Sequence, residues 1–201
     1  MRFVIRIIDF FLDIIFFNVL TRLYFSFKVR FIYRRIHKVK GQNMVNKIRQ
    51  KGLDFRIHGD IEINDFRKLV VGNHVRIGKG GYLSCEGGLV IGDNVQISRN
   101  VLIFTNNHNI NSTTIPYDNT FVDKKVVIGN SVWIGMNVTI APGTIIGNGA
   151  IIGMGAVISG IIPEGAIVVG AKHRIIGNRN MKKFNKKSLD KKFFGLLFPD
   201  S

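Results

Sequence analysis

One stretch of the sequence, residues 126–170, repeats every six residues, and this period constrains the fold more than any other feature. A branched aliphatic residue followed by Gly or another small residue opens each block, at Ile128, Ile134, Ile140, Ile146, Ile152 and Ile158. An apolar or small residue stands two positions earlier, at Val126, Val132, Val138, Thr144, Ala150 and Ala156. A period of six fits neither an amphipathic helix nor a lone strand. It predicts a parallel β-helix, in which each block gives one short strand and the small residue turns a corner.

Looser repeats precede this stretch, and we expect the solenoid to begin near Phe55. The register slips at Asn64–Lys68 and at Tyr82–Gly88, which predicts a loop or bulge at a corner of the coil. The period fails over residues 104–125, a polar segment with Pro116. A long excursion from a regular domain is usually functional or disordered. We therefore expect a β-helix over residues 53–176, with an excursion loop over 104–125.

The N-terminal residues 1–52 lie outside the β-helix, and we expect them to be helical. On a helix, Arg2, Arg6, Asp9 and Asp13 form one narrow polar stripe in an apolar and aromatic surround. The two carboxylates argue against a secretory signal and against a transmembrane span. Two interpretations stay open: an amphipathic helix in a membrane interface, or a helix packed on the domain or on a neighbouring subunit.

Charge points to an anionic partner. The 201 residues carry a formal net charge of +16, and residues 22–51 are rich in Lys and Arg interleaved with aromatic side chains. Such a cluster would attract anionic lipid headgroups, or it is a solvated helical face. The basic tail, residues 177–201, binds the membrane surface or caps the open end of the solenoid. No nucleic-acid recognition motif accompanies the charge, so we expect no nucleic acid. The single cysteine, Cys85, excludes an intramolecular disulfide and fits a reducing, cytoplasmic location.

The segment Ile128–Gly170, and within it the block VWIGMNVTIAPG, resembles the hexapeptide-repeat acyltransferases. It is similar to the branch of maltose, galactoside and streptogramin acetyltransferases and many polysaccharide O-acetyltransferases. The segment NNHNI matches the loop histidine of that branch, with His108 upstream of Trp133 at the spacing typical of it. The resemblance covers about residues 55–176. It implies a left-handed β-helix, acetyl coenzyme A as acyl donor, and a homotrimer with active sites between adjacent subunits.

The resemblance also implies roles for single residues on the donor side. His108 matches the catalytic base, a task that suits a neutral imidazole; alternatively it pairs with neighbouring asparagines. Trp133 matches the aromatic residue beside that base and the pantetheine arm, or it caps a coil corner. Backbone amides along one edge of the later coils would bind the donor, at Met136, Met154 and Ser159. In the exit motif, Gly170 and Arg174 match, Pro and Ala are replaced by Lys172 and His173, and Lys172 and Arg174 would meet a phosphate.

On the acceptor side, the segment GGYLSCEGG should lie near the base. Ser84, Cys85 and Glu86, together with Asn107, are candidates to contact a sugar, or the segment is a simple corner loop. A nucleophilic role for Cys85 is not expected, because the family transfers the acyl group directly. The other histidines, His37, His58, His74 and His173, are most simply structural or surface residues. Because His108 has no histidine partner within its loop, no metal is expected.

These observations predict an O-acetyltransferase that moves acetyl from acetyl coenzyme A to a sugar hydroxyl. The expected acceptor is a precursor of lipopolysaccharide, capsule or exopolysaccharide, reached from the inner face of the cytoplasmic membrane. One alternative is an acetyltransferase for a soluble acceptor such as an antibiotic, a free sugar or a nucleotide-linked amino sugar. Another is a non-catalytic solenoid that acts as a scaffold at the membrane.

Overall fold

The structure is a computed structural model that describes residues 2–109, 119–170 and 174–192, with side chains from residue 16 onward except 174 and 176. The chain divides into two compact units, Met1–Lys38 and Val39–Ser201. The first unit is part of one long helix, α1, which spans Arg2–Lys47. Its described side chains include many exposed aromatic and aliphatic residues. In the part of the chain that the structure describes, no helix is both long and apolar enough to cross a membrane.

The second unit is a left-handed parallel β-helix, whose short strands form three sheets, named here faces A, B and C. Face A contains β1 Gln50–Lys51, β4 Leu69–Val71, β7 Leu89–Ile91, β12 Val126–Ile128, β15 Ile145–Ile146 and β18 Ile161–Ile162. Face B contains β2 Arg56–His58, β5 Arg76–Gly78, β8 Gln96–Ile97, β13 Trp133–Ile134, β16 Ile151–Ile152, β19 Ala166–Val169 and β20 Arg174–Asn178. Face C contains β3 Glu62–Ile63, β6 Tyr82–Leu83, β9 Leu102–Ile103, β14 Thr139–Ile140 and β17 Val157–Ile158. The β-helix predicted from the six-residue period is therefore confirmed.

The paired residues of neighbouring strands give the number of residues in each coil. Val127 pairs with Ile145, so the regular coil consists of three blocks of six. The earlier coils are slightly longer, because Val70 pairs with Val90. The added residues lie between faces C and A, in the two segments where the sequence register slips, and the short 3-10 helix Phe66–Lys68 occupies the first of them. The excursion of residues 104–125 leaves the coil at this same corner, so all three irregularities stack on one edge.

The core is the inward row of aliphatic side chains. The six isoleucines of the repeat, Ile128 to Ile158, are each at most 1% exposed, and their partners two positions earlier are equally buried. Burying an aliphatic side chain of this size contributes roughly 1.5–3 kcal/mol. Because each coil buries its row against the next, the stack is stable only as a whole.

A ladder of Asn and Asp side chains holds the corner between faces A and B. The side-chain Oδ1 of each member accepts the backbone N–H of the coil before it, at 2.6–2.8 Å, through Asn73, Asp93, Asn130 and Asn148. One position after each of the first three members, the backbone has positive φ, at His74, Asn94 and Ser131. The side-chain ladder satisfies the amides that this tight turn leaves unpaired.

Both ends of the β-helix are covered. At the start, the last turns of α1 pack on the first coils, where a Cβ on Gly41 would lie 1.8 Å from the Ile57 carbonyl oxygen. The solenoid begins at Gln50, before the predicted Phe55, because β1 pairs with β4. At the other end, β20 pairs antiparallel with β19. The following helix α2, Met181–Leu189, packs its Phe184 against Gly149. The described part of the tail therefore packs on the β-helix, and residues 193–201 lie outside the described residues.

Candidate active site

His108 lies on a β-hairpin that leaves the coil between faces C and A. Its strands, β10 Asn106–His108 and β11 Phe121–Asp123, pair antiparallel, so that His108 lies opposite Phe121. The two rings pack with centroids 4.6 Å apart. The backbone N–H of His108 donates to Asn107 Oδ1 at 2.9 Å. The hairpin and the phenyl ring thus hold a half-buried imidazole at the base of the excursion.

Beneath the hairpin, side-chain hydrogen bonds tie the excursion to the coil before it. Ser84 Oγ lies 2.7 Å from Glu86 Oε2 and 3.0 Å from Asn106 Oδ1, and its single proton serves either oxygen. Thr105 Oγ1 donates to the Ser84 carbonyl and accepts the Gly87 N–H. Burial alone would raise the pKa of Glu86, but the hydrogen bonds from Ser84 and Asn64 hold it below its usual value. Glu86 is therefore an ionised, anchored carboxylate close to the base of the hairpin.

The first irregular corner joins the same network. Asn64 Oδ1 accepts the Cys85 N–H at 2.7 Å, and Asn64 Nδ2 donates to Glu86. Lys68 Nζ donates to the Glu86 carbonyl oxygen and lies 3.9 Å from Asp123 Oδ2 on the hairpin. Three successive coils thus support the strands that carry His108.

The predicted acceptor residues separate into two groups. Glu86 is half-buried and Asn107 is exposed, so both offer surface beside the hairpin. The Ser84 side chain is buried, and its hydroxyl makes the hydrogen bonds described above. Cys85 is fully buried in the core, and this burial, with the nearby Glu86 and Asp65 carboxylates, raises the pKa of its thiol to about 12. The prediction that Cys85 contacts a sugar is therefore not supported, because its side chain points into the aliphatic core.

The predicted donor residues lie on the far side of the coil. Trp133 is 54% exposed on face B, while Met136 and Met154 are exposed at the corner between faces B and C. Ser159 is at the next corner, between C and A, so the three amide positions do not share one edge as expected. Gly170 follows β19 and is exposed. Lys172 lies outside the described residues, and Arg174 opens β20 with its side chain undescribed.

In a triangular coil, face B is opposite the corner between faces C and A. The hairpin with His108 starts from that corner, whereas Trp133 points outward from face B. One chain therefore presents the predicted base and the predicted donor residues on opposite sides.

A cavity of about 1010 Å³ lies on face B, between the sheet and α2. Trp133 and Met136 line it, together with basic side chains that the sequence interpretation missed, among them Arg76 and Arg99. Arg76 was detectable in principle, because it stands in the outward register of the strand that Trp133 occupies later: Arg76 pairs with Gln96, and Gln96 with Trp133. The pairing of these strands depends on the number of residues in each coil, which could not be read from the sequence because the six-residue register slips in the earlier coils.

Arg76 is held rigidly in the cavity wall. It is only 4% exposed, and it donates to the carboxylate Oδ2 of Asp54 at 2.7 Å and to the Asp54 carbonyl at 2.6 Å. Burial alone would raise the pKa of Asp54, but hydrogen bonds from Arg76 and His74 lower it. In the described part of the chain, no group of three or more His, Cys, Asp or Glu side chains is placed to hold a metal.

Comparison with known proteins agrees with this architecture. The model of the bacterial transferase hexapeptide family (six repeats) matches residues 125–160. No curated protein gives a match.

Several solved structures share the fold. A maltose O-acetyltransferase from Clostridium difficile 630 is 27% identical over 68% of this chain and 73% of its own, with a TM-score of 0.57. A hexapeptide-repeat acetyltransferase from Vibrio cholerae O1 biovar eltor, in complex with acetyl coenzyme A, is 22% identical over 66% and 73%, with a TM-score of 0.61. A galactoside acetyltransferase in complex with coenzyme A is 24% identical over 67% of each chain, with a TM-score of 0.55. The resemblance inferred from the sequence is thereby confirmed: the chain carries the bacterial transferase hexapeptide repeat on the β-helix of the hexapeptide-repeat acetyltransferases.

Proposed function

We propose that the protein is an acetyl-coenzyme-A-dependent O-acetyltransferase with a sugar hydroxyl as acceptor. The observation that carries this proposal is the hairpin that supports His108 on a β-helix of this family. The maltose O-acetyltransferase that shares the fold is named for acetyl transfer to a sugar. A histidine on a supported strand, with an ionised carboxylate at the base of the hairpin and the exposed amide of Asn107, suits an acceptor rich in hydroxyl groups.

The proposed reaction is direct transfer. The acceptor hydroxyl oxygen attacks the thioester carbonyl carbon while the neutral imidazole of His108 takes the hydroxyl proton. The C–S bond then breaks, the new ester C–O bond remains, and the imidazolium returns its proton to the departing coenzyme A sulfur. Cys85, buried and held as a thiol, takes no part.

The site would form between adjacent copies of a homotrimer. Because His108 and Trp133 lie on opposite sides of one coil, a donor seated along face B of one copy would meet the base of its neighbour. In this arrangement Trp133, Met136 and Met154 border the donor, and Glu86 and Asn107 border the acceptor. Each copy contributes one half to two different sites.

We further propose that the N-terminal unit holds the enzyme on the inner face of the cytoplasmic membrane, beside a lipid-linked glycan precursor. Exposed apolar side chains recur along one stripe of α1, at Phe16, Leu20, Leu23, Phe27 and Phe31. Exposed basic side chains, Arg22, Lys28 and Arg30 among them, lie on the same part of the helix. Apolar burial at the headgroup level and attraction to anionic lipid would act together.

Replacing the proposed base tests the reaction. His108→Ala should lower acetyl transfer by about 10²–10⁴-fold, the usual contribution of a general base. Coenzyme A binding, measured by calorimetry, should persist, because the imidazole acts on the acceptor proton. His37→Ala is the matched control, since His37 packs on Tyr33 in the N-terminal unit.

An unchanged rate in His108→Ala would remove the assigned mechanism. Failure of the wild-type protein to bind coenzyme A would remove the enzymatic function and favour a scaffold. Mass analysis of surface glycans from cells with and without the gene should show acetyl mass missing from one sugar.

The membrane proposal has a separate test with vesicles. The full chain should sediment with vesicles that contain phosphatidylglycerol, and Phe16→Ser/Phe27→Ser should weaken this several-fold by removing apolar anchors. Vesicles of phosphatidylcholine alone are the control for charge. If the double variant binds as the wild type does, the stripe is not the anchor. If the full chain does not sediment with either kind of vesicle, the membrane proposal is wrong and a soluble acceptor becomes the better interpretation.

A further inference from the structure

The charges that line the cavity on face B have one sign. Arg76, Arg99, Arg179, Lys187 and Lys192 all border it. Among the described residues of the lining there is no Asp or Glu side chain. Cations grouped in a partly enclosed site concentrate a positive potential, which raises the local concentration of anions. The cavity is therefore suited to a ligand, or two ligands, with negative charge.

The cations form two groups on different elements. The coil group, Arg76 and Arg99, belongs to coils that precede Trp133. The helix group, Arg179, Lys187 and Lys192, lies on or beside α2, where the chain leaves the last coil. Arg76 is two strands before Trp133 in the same register, which places it roughly 10 Å away along the axis.

Within the coil group, Arg76 is preorganised and Arg99 is exposed at the cavity. Asp54 fixes the Arg76 guanidinium by two hydrogen bonds, yet the same carboxylate also binds Arg56 at 2.9 Å and His74 at 3.3 Å. One carboxylate shared by two guanidinium groups leaves an excess positive charge. His58 borders the same cavity. Partial burial of its ring, together with the positive charges of Arg76 and Arg56, lowers its pKa. A neutral His58 adds a hydrogen-bond donor without neutralising the cations.

A donor that runs past Trp133 toward α2 would meet the helix group with its phosphates. The coil group would then lie at the other end of such a donor, on the coils that precede Trp133. A neutral sugar gains nothing from the positive charge of this group, whereas an anionic sugar does.

We propose that the acceptor itself is anionic and that the coil group of Arg76 and Arg99, which begins about 10 Å before Trp133 along the coil axis, binds its phosphate or carboxylate. This inference rests on the proposed function and names the substrate class of that site. Phosphate and carboxylate both offer two oxygens at the spacing that a planar guanidinium group recognises. A sugar phosphate, a lipid-linked sugar diphosphate and an acidic sugar all satisfy it.

The test compares three sugars on the full chain saturated with coenzyme A. Calorimetry at fixed ionic strength measures binding of glucose 1-phosphate, glucuronate and glucose. At least one anionic sugar should bind about tenfold or more tightly than glucose, as expected for a charge-assisted contact. Which of the two binds better distinguishes phosphate from carboxylate.

Variants then locate the contact. Arg99→Gln should remove about tenfold of the affinity for the preferred anionic sugar and leave coenzyme A binding unchanged. Arg76→Lys, which keeps the charge beside Asp54 but loses the two-point geometry, should act in the same direction. Arg49→Gln, an exposed arginine outside the cavity lining, is the matched control.

The outcomes separate the two proposals. If glucose binds as tightly as both anionic sugars, or if neither anionic sugar binds, the acceptor is not selected by charge and the inference is wrong. If Arg99→Gln weakens coenzyme A instead, the coil group serves the donor, which also overturns it. In all these cases a bound coenzyme A leaves the acetyltransferase function intact, whereas its failure to bind removes the function.

Discussion

At the scale of single residues, the structure depends on a few buried polar groups. Arg76 is the largest such group, since its guanidinium is enclosed and Asp54 supplies its counter-charge. Two bonds to one Asp, one to the backbone carbonyl and one to the carboxylate, fix both the corner and the arginine. Loss of the carboxylate would leave a cation enclosed without compensation.

Asp54 makes the folded state less stable as the pH falls. Its folded pKa lies below the unfolded value, so its contribution is present above the unfolded pKa and disappears as pH falls through the folded pKa. We expect Asp54→Asn to lower the free energy of unfolding by roughly 2–4 kcal/mol at neutral pH. The difference from wild type should shrink steadily on acidification below about pH 4.

Denaturant unfolding followed by circular dichroism at neutral and acidic pH measures this. Glu164→Gln, at a corner of a later coil, is the control. A loss in Asp54→Asn that is the same at both pH values would show that the carboxylate's charge is not what stabilises the corner.

At the scale of elements, the corner between faces A and B is stabilised by side-chain oxygens that accept backbone N–H groups of the preceding coil. Asn130 accepts the Asp93 N–H, and its own N–H donates to Asn148. Asn130→Ala should cost about 1–2 kcal/mol, because the Asp93 amide loses its partner while the aliphatic core is untouched. Asn43→Ala, on the exposed surface of α1, should leave stability unchanged.

Thermal unfolding of the two variants checks the ladder. Equal melting temperatures for Asn130→Ala and the wild type would show that water replaces the side-chain bond at no cost.

The sequence predicted the strands of residues 126–170 because each block carries its own inward aliphatic and its own corner residue. It did not predict the shared corner of the three irregularities, since this depends on the earlier coils being longer than the later ones. The same difference in coil length hid the register of Arg76 with Trp133, and with it the cationic cavity. The proposal for His108 depends on a local motif, and the structure places this residue on the hairpin, while its catalytic role stays a prediction. The carboxylate network beneath it was only placed approximately, because it joins residues from three coils.

At the scale of the whole molecule, the two proposed half-sites of one chain face away from each other. The hairpin of His108 and the donor face of Trp133 are on opposite sides of the coil, so the proposed chemistry requires a second copy. Exposed aliphatic residues on the outside of face A, Ile145 at 44% and Ile161 at 74%, offer apolar surface for such an assembly. A closed ring of three copies would complete every proposed half-site.

Complementation between inactive variants tests this account most directly. His108→Ala removes the base and Trp133→Glu obstructs the donor face, so each protein alone should be nearly inactive. In trimers reassembled at random from equal amounts, about one quarter of the sites should combine an intact His108 with an intact Trp133 from the neighbour. Acetyl transfer should recover to that fraction of the wild-type rate. Activity no greater than the sum of the two separate variants would contradict an active site shared between copies.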